Sequence, residues 1–294
     1  MTDVLENQEI QTVIVENETS RLKEQLSPQE IWEKCLTWHD TFDSEVWNNK
    51  DSFHNRRHIE AVVGAVKKYM DGCSRDDDPL ELYKSLDLWN NSHPDLIIPE
   101  DELSEAIMFA IYTHDTGNII SFLSVRSGNI KPSFLPNYTA GKDVFTGKVA
   151  EERSQAIAEF LINNSNLGEE KKQRYNQFVK HLINETKYMP EDQKSPFSVF
   201  MRVMDQIGND LFSQNERRLL GLIYENGIEN PFAEVNPYFF VNFVRERFKQ
   251  LVTDENDRQR ILEIWGKNLP DEVNVKNEKL PINQAREIIQ ESIN

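Results

Sequence analysis

In the run "ELSEAIMFAIYTHDTGN", the residues Leu103, Ile107, Ala110, Ile111 and His114 come at steps of three and four. That spacing stacks them on one face of a helix over 101–114, and Gly117 closes it. The period recurs along the chain. "SPQEIWEKCLTW" opens with Ser27 as N-cap, Pro28 at the first helical position and Glu30 completing a capping box, then offers Ile31, Trp32, Cys35 and Trp38 as an apolar side. "DSFHNRRHIEAVVGAVKKYM" carries Ile59, Val62, Val63, Val66 and Met70 at helical spacing. Further helices are predicted over about 149–163, 169–186, 196–212 and 214–226, and in "YFFVNFVRERFKQLV", "DRQRILEIWGKN" and "INQAREIIQESI". No stretch alternates apolar and polar residues as a strand would, and no internal repeat is found. The expected fold is therefore an all-α bundle.

Its organisation follows from where the period fails. Residues 1–26 are polar and acidic and read as a tail; 27–226 form the helical domain; 227–294 form a helical extension packed on the core. Residues 119–148, rich in Gly, Pro, Ser and Asn, form a long irregular insertion. "DGCSRDDDP" and "NSHPDLIIPEDE" read as charged loops.

Charge narrows the partners. Fifty acidic residues against 33 basic leave a net charge of −17, which argues against duplex nucleic acid and anionic membranes. An anionic small molecule is still admissible if cations or a metal gather locally. Only Cys35 and Cys73 are present, so no disulfide framework is implied and a reducing compartment is expected. "MTDVLENQEI" lacks the basic start and apolar run of a leader, and no apolar stretch approaches the roughly 20 residues of a membrane helix. The expectation is a cytoplasmic protein.

Six histidines can be weighed one by one. His54 and His58, in "FHNRRH", share one helix face, and His58 stands one turn before Val62, at or near the core. His114 continues the apolar stripe of its helix, and Asp115 projects about 100° further round. Asp205, in "FSVFMRVMDQIGNDLF", sits beside the apolar face of Phe200, Val203, Met204, Ile207 and Leu211. A carboxylate in such surroundings needs a partner. Taken singly, an inward histidine is an ordinary core residue with a satisfied hydrogen bond, and Asp115 a helix-end residue, though an acid suits the negative end of a helix poorly. Taken together, two imidazoles and two carboxylates from three helices suit one divalent cation with positions left open for water and substrate.

The order His58, then His114-Asp115 after "AIYT", then Asp205 late in a helix resembles the H…HD…D signature of the HD-domain metal-dependent phosphohydrolases, over about 50–212. "FHNRRHIEAV" is similar to the opening of small predicted HD hydrolases and of cyclic nucleotide phosphodiesterases. "EERSQAIAEF", "LINETK" and "MDQIGNDL" resemble three further segments of the small hydrolases. The resemblance implies that His58, His114, Asp115 and Asp205 ligate a divalent metal, one ion with a second possible. The donor set does not distinguish Mn, Mg, Fe, Co, Ni and Zn. It also implies Asp115 as a bridge to any second ion, His54 as the acid that protonates the leaving oxygen, and a small phosphorylated substrate, most plausibly a nucleotide.

Other positions have two readings each. Glu151 and Glu185 stand where some HD proteins carry second-metal histidines; they either hold a second cation or position water, or are solvated glutamates. His181 is core, or a neighbour of the site. Lys187 is a stand-in for a histidine that the small hydrolases place nearby. Arg126, Lys131, Lys142 and Lys148 lie in a stretch with one acid, Asp143, directly after His114-Asp115. They belong either to a phosphate-recognising lid or to a solvated insertion. Arg56 and Arg57 reach phosphate or pair with acids. The second His-Asp dipeptide, His39-Asp40, precedes the His-Asn-x-x-His motif and reads as structural or surface, and His93 as an inert loop residue. Two rival classes stand beside the hydrolase: a non-catalytic binding or regulatory module on the same fold, and a di-iron oxygenase on that scaffold.

Overall fold

A capping box starts the first helix, α1 (Pro28–Val46). Glu30 accepts from the Ser27 backbone N–H at 2.8 Å, and Ser27 Oγ accepts the Glu30 N–H at 3.4 Å. The computed structural model describes residues 25–46, 56–117, 148–186, 195–208, 234–269 and 276–281, with 284–285 and 287–288. After α1 come α2 (Arg56–Gly72), α3 (Leu82–Ser92), α4 (Glu100–Thr113), α5 (Lys148–Asn163), α6 (Glu169–Glu185) and the short α7 (Ser198–Arg202). The helix of α7 runs on without a break into a π-helical turn, Val203–Gly208. Among the described residues, α8 (Pro237–Leu251) and α9 (Glu255–Trp265) come next. The fold is all-α, as the periodicity predicts.

The buried side of each helix is the side its apolar spacing names. Ile31 and Cys35 on α1, Ile59, Val62 and Val66 on α2, and Leu103, Ile107, Ala110 and Ile111 on α4 are fully buried in one core. Helix α4 is central: α1, α2, α5 and α6 all pack on it. Trp32 of α1 stacks on Tyr112 of α4 at 5.3 Å, and Tyr175 of α6 donates to the Glu102 carbonyl. Residues Glu100, Asp101 and Glu102 in the first turn of α4 complement its N-terminal dipole. Ahead of α1, Leu26 forms a backbone bridge with Ser165 in the turn between α5 and α6.

Three features depart from the sequence reading. Helix α3 lies between the two charged loops where no helix is predicted; Leu82, Leu86 and Trp89 are its buried apolar residues, while Leu88 is exposed. It is started by tertiary contacts, Asp78 accepting from both the Tyr69 hydroxyl and the Tyr83 N–H. The single helix expected over 196–212 is instead α7 plus the π turn, with 209–212 outside the described residues. A two-residue antiparallel ribbon, β1 (Glu234–Val235) against β2 (Leu280–Pro281), pairs segments in which no strand is expected. The tail 1–24, residues 51–55 of the second predicted helix, residues 119–147 of the insertion and the helix over 214–226 also lie outside the described residues, while Lys148, placed in the insertion, starts α5.

The C-terminal helices buttress the other end of α2. Asp254 caps α9 by accepting from the Asn256 and Asp257 N–H groups, and Gly266 ends it at φ 65, a left-handed backbone that suits glycine. Trp265, fully buried, donates its indole N–H to the Ala65 carbonyl and stacks on Phe248 of α8. Gly208 closes the π turn against this pair: a Cβ there would stand 2.7 Å from the Ala65 Cβ and 3.2 Å from the Trp265 ring. Among the described residues no helix is long and apolar enough to cross a membrane.

Candidate metal centre

Three elements deliver four side chains to one point. His58 comes from the first turn of α2, His114 and Asp115 from the turn that ends α4, and Asp205 from the π turn. Although 56 residues separate His58 from His114, their Nε2 atoms lie 3.3 Å apart. Asp115 Oδ2 is 2.9 Å from His58 Nε2 and 3.1 Å from His114 Nε2. Asp205 Oδ1 is 3.2 Å from each ring nitrogen. All four ligand atoms fall within 4.8 Å of one another.

These separations fit a cation. An ion bound at about 2.1 Å holds neighbouring ligands about 3.0 Å apart and opposite ligands about 4.2 Å apart in octahedral geometry. The donors, two imidazole nitrogens and two carboxylate oxygens, are those of a divalent metal site. Tautomer control fits as well, because His114 donates Nδ1–H to the Ile111 carbonyl at 2.7 Å, which turns the Nε2 lone pair toward the cluster.

Burial gives the site a direction. The side chains of His58 and His114 are 1% and 2% exposed, whereas Asp115 and Asp205 are 10% and 18% exposed. The rings form a closed floor and the acids face the opening.

The charges are mutually dependent. Burial pulls the His114 imidazole down, but the adjacent Asp115 and Asp205 override it and hold the ring well above its ordinary value. Burial pushes Asp205 up, but His114 and His58 prevail and hold it at about 2. A divalent cation held there would compete with a proton for the His114 ring.

One supporting residue was not recognised in the sequence. Ser154 of α5, fully buried, donates Oγ–H to the His114 carbonyl at 2.5 Å and accepts the Gly117 N–H at 2.9 Å. It thus closes the turn that aims both ligands. Its signal was available, since a hydroxyl on the Ile157, Ala158 and Leu161 face must find a partner. Ser154→Ala is expected to weaken metal binding about tenfold, the low end for a supporting contact. Calorimetric titration of the metal-free protein with Mn²⁺ checks this; unchanged affinity means that the turn holds its shape alone.

The other candidates separate cleanly. Glu151, half-buried, and Glu185, buried, stand outside the four-ligand group. Burial removes the solvated reading for Glu185, which lies 4.0 Å from His181 Nδ1. His181 is half-buried and donates Nε2–H to the Pro196 carbonyl at 3.0 Å. His39 is fully buried, so the surface reading fails and the structural one stands. His93 stacks on Trp89 at 3.9 Å, away from the cluster. Arg56 pairs with Glu60, Asp40 and Glu33, which settles it among acids, while Arg57 is exposed on the first turn of α2. His54, Arg126, Lys131, Lys142, Lys187 and the side chain of Lys148 lie outside the described residues. Compared with known family models, curated proteins and solved structures, the chain matches none.

Proposed function

We propose that the protein is a metal-dependent hydrolase of phosphate esters, acting on small nucleotides, built on an HD-type helical domain. The observation that carries this reading is the convergence of His58, His114, Asp115 and Asp205 within 4.8 Å at a partly open site. A divalent ion held there supplies Lewis acidity, generating a water-derived nucleophile near neutral pH and offsetting charge on phosphoryl oxygens.

The chain's own residues do the rest. His58 and His114 form the buried floor and are presented by their Nε2 atoms. Asp115 and Asp205 bring negative charge to the open side, where a water can be oriented and its proton accepted. Ser154 and the Ile111 carbonyl fix the His114-Asp115 turn, so little reorganisation is needed as substrate arrives. His54, one helical turn from His58 in sequence, is the proposed acid for the leaving oxygen, a role that typically adds 10²–10⁴-fold.

The test is metal analysis of purified protein, then phosphomonoester and phosphodiester panels with Mn²⁺, Mg²⁺, Zn²⁺ and Fe²⁺. About one equivalent of metal and metal-dependent phosphate release are expected. Metal retained with no turnover on any ester favours the binding module, and oxygen uptake by the iron-loaded protein favours the oxygenase.

A further inference from the structure

Arg202 ends α7 one turn before Asp205, and it is 6% exposed. A guanidinium so far from water ordinarily meets a carboxylate. Even the more exposed Arg56, Arg75, Arg174 and Arg260 meet one. Arg202 does not. Its one hydrogen bond runs from Nε–H to the Glu185 main-chain carbonyl at 3.3 Å, and no carboxylate pairs with it among the described residues. That bond sits at the C-terminus of α6, whose dipole offsets part of the charge. The Nη edge, which grips phosphate through parallel N–H bonds, has no protein acceptor among the described residues.

Its place in the chain gives this a use. Arg202 and Gln206 lie one turn apart and both reach the end of α6, Gln206 donating to the Thr186 carbonyl at 3.5 Å. Arg247 of α8, also buried, donates to Gln206 Oε1 at 2.8 Å and holds that turn. The helix that presents Asp205 to the cluster therefore presents, one turn earlier, a buried cation with no carboxylate partner among the described residues. An anionic substrate approaching a chain of net charge −17, toward two carboxylates, needs such a cation close by.

We propose that Arg202 is an oxyanion-binding residue, and that its Nη edge receives a phosphoryl group of the substrate beside the metal centre. The inference rests on the phosphate-ester reading for its ligand, but the anion contact itself requires no metal.

The experiment uses the full chain treated with chelator, titrated with pyrophosphate and inorganic phosphate by calorimetry and ³¹P line width at constant ionic strength. Wild type should bind pyrophosphate saturably, with binding about 30-fold weaker in Arg202→Gln, the scale of a lost charge-assisted hydrogen bond. Arg202→Lys keeps the charge without the planar fork and should weaken binding about fivefold. Arg75→Gln, at an exposed arginine paired with Asp87 and Glu100 away from the cluster, should bind pyrophosphate as wild type does under chelator. No saturable binding by wild type, or equal binding by Arg202→Gln, overturns the proposal. If the Gln variant does not fold, the Lys variant decides, and equal binding there overturns it. Loss of the Arg202 effect in a protein that still holds metal and hydrolyses esters sinks this inference alone. Arg202-dependent binding in a protein that retains no metal sinks the hydrolase reading instead.

Discussion

Asp115→Ala is expected to lose bound metal and ester hydrolysis together. The carboxylate lies 2.9 and 3.1 Å from the two ring nitrogens, so it would stand beside both imidazoles around a shared cation. Asp115 also follows His114 in the Ser154-clasped turn, so the same contacts that aim the ring fix the acid. Supporting contacts alone change metal affinity by about 10–100-fold, and loss of a ligand exceeds this. Turnover should fall by at least about 10³-fold, because metal-supplied charge stabilisation amounts to several kcal/mol. Metal content after desalting and phosphate release at saturating Mn²⁺ are the measurements, with far-UV circular dichroism as the folding control. Hydrolysis at the wild-type rate in this variant would refute the mechanism.

Trp265→Ala has the largest expected effect on stability, about 3–5 kcal/mol, the scale for emptying a fully buried aromatic site. Its ring fills the space between α2, α8 and the π turn, and its indole N–H serves the Ala65 carbonyl, which the alanine variant leaves without that donor. The Ala65 carbonyl keeps its place in the ladder of α2, so the cost is the cavity plus one lost hydrogen bond. The midpoint of thermal unfolding in chelator should fall by roughly 10 °C for a chain of this size. A second consequence tells packing from mere mass. Trp265 backs Gly208, so removing it loosens the turn that carries Asp205, and metal affinity should fall along with Tm. A drop of less than about 2 °C would mean that α9 is peripheral to the fold.

The fold was legible wherever local signals were strong. Ser27, Pro28 and Glu30 announce α1 by chemistry confined to one turn, and the stripe from Leu103 to His114 announces α4 by its period alone. Helix α3 was not legible, because its start depends on Asp78 meeting Tyr69 from another helix. The π turn was equally hidden: Phe200, Val203, Met204 and Ile207 give the same apolar pattern whether the helix turns tightly or wide. At the site, each of the four ligands could be suspected from an inward or apolar setting, yet their meeting is a long-range fact that no local window contains. The burial of His39 and Glu185 was out of reach for the same reason. Ser154 was within reach, since a hydroxyl on a buried face demands an acceptor.

The wide turn at Val203–Gly208 carries a lesson about chain length. A π turn is an α-helix that has absorbed one surplus residue, so its geometry is a matter of counting as much as of composition. Excising a single residue between Val203 and Asp205 would let the segment relax into an ordinary helix and swing the aspartate roughly 100° about the axis, the angle of one α-helical step. The acid would survive in the sequence and vanish from the cluster. A gapless overlay of this helix on a regular one would mispair every residue beyond it by one position, and Gln206 or Met204 would be mistaken for the ligand.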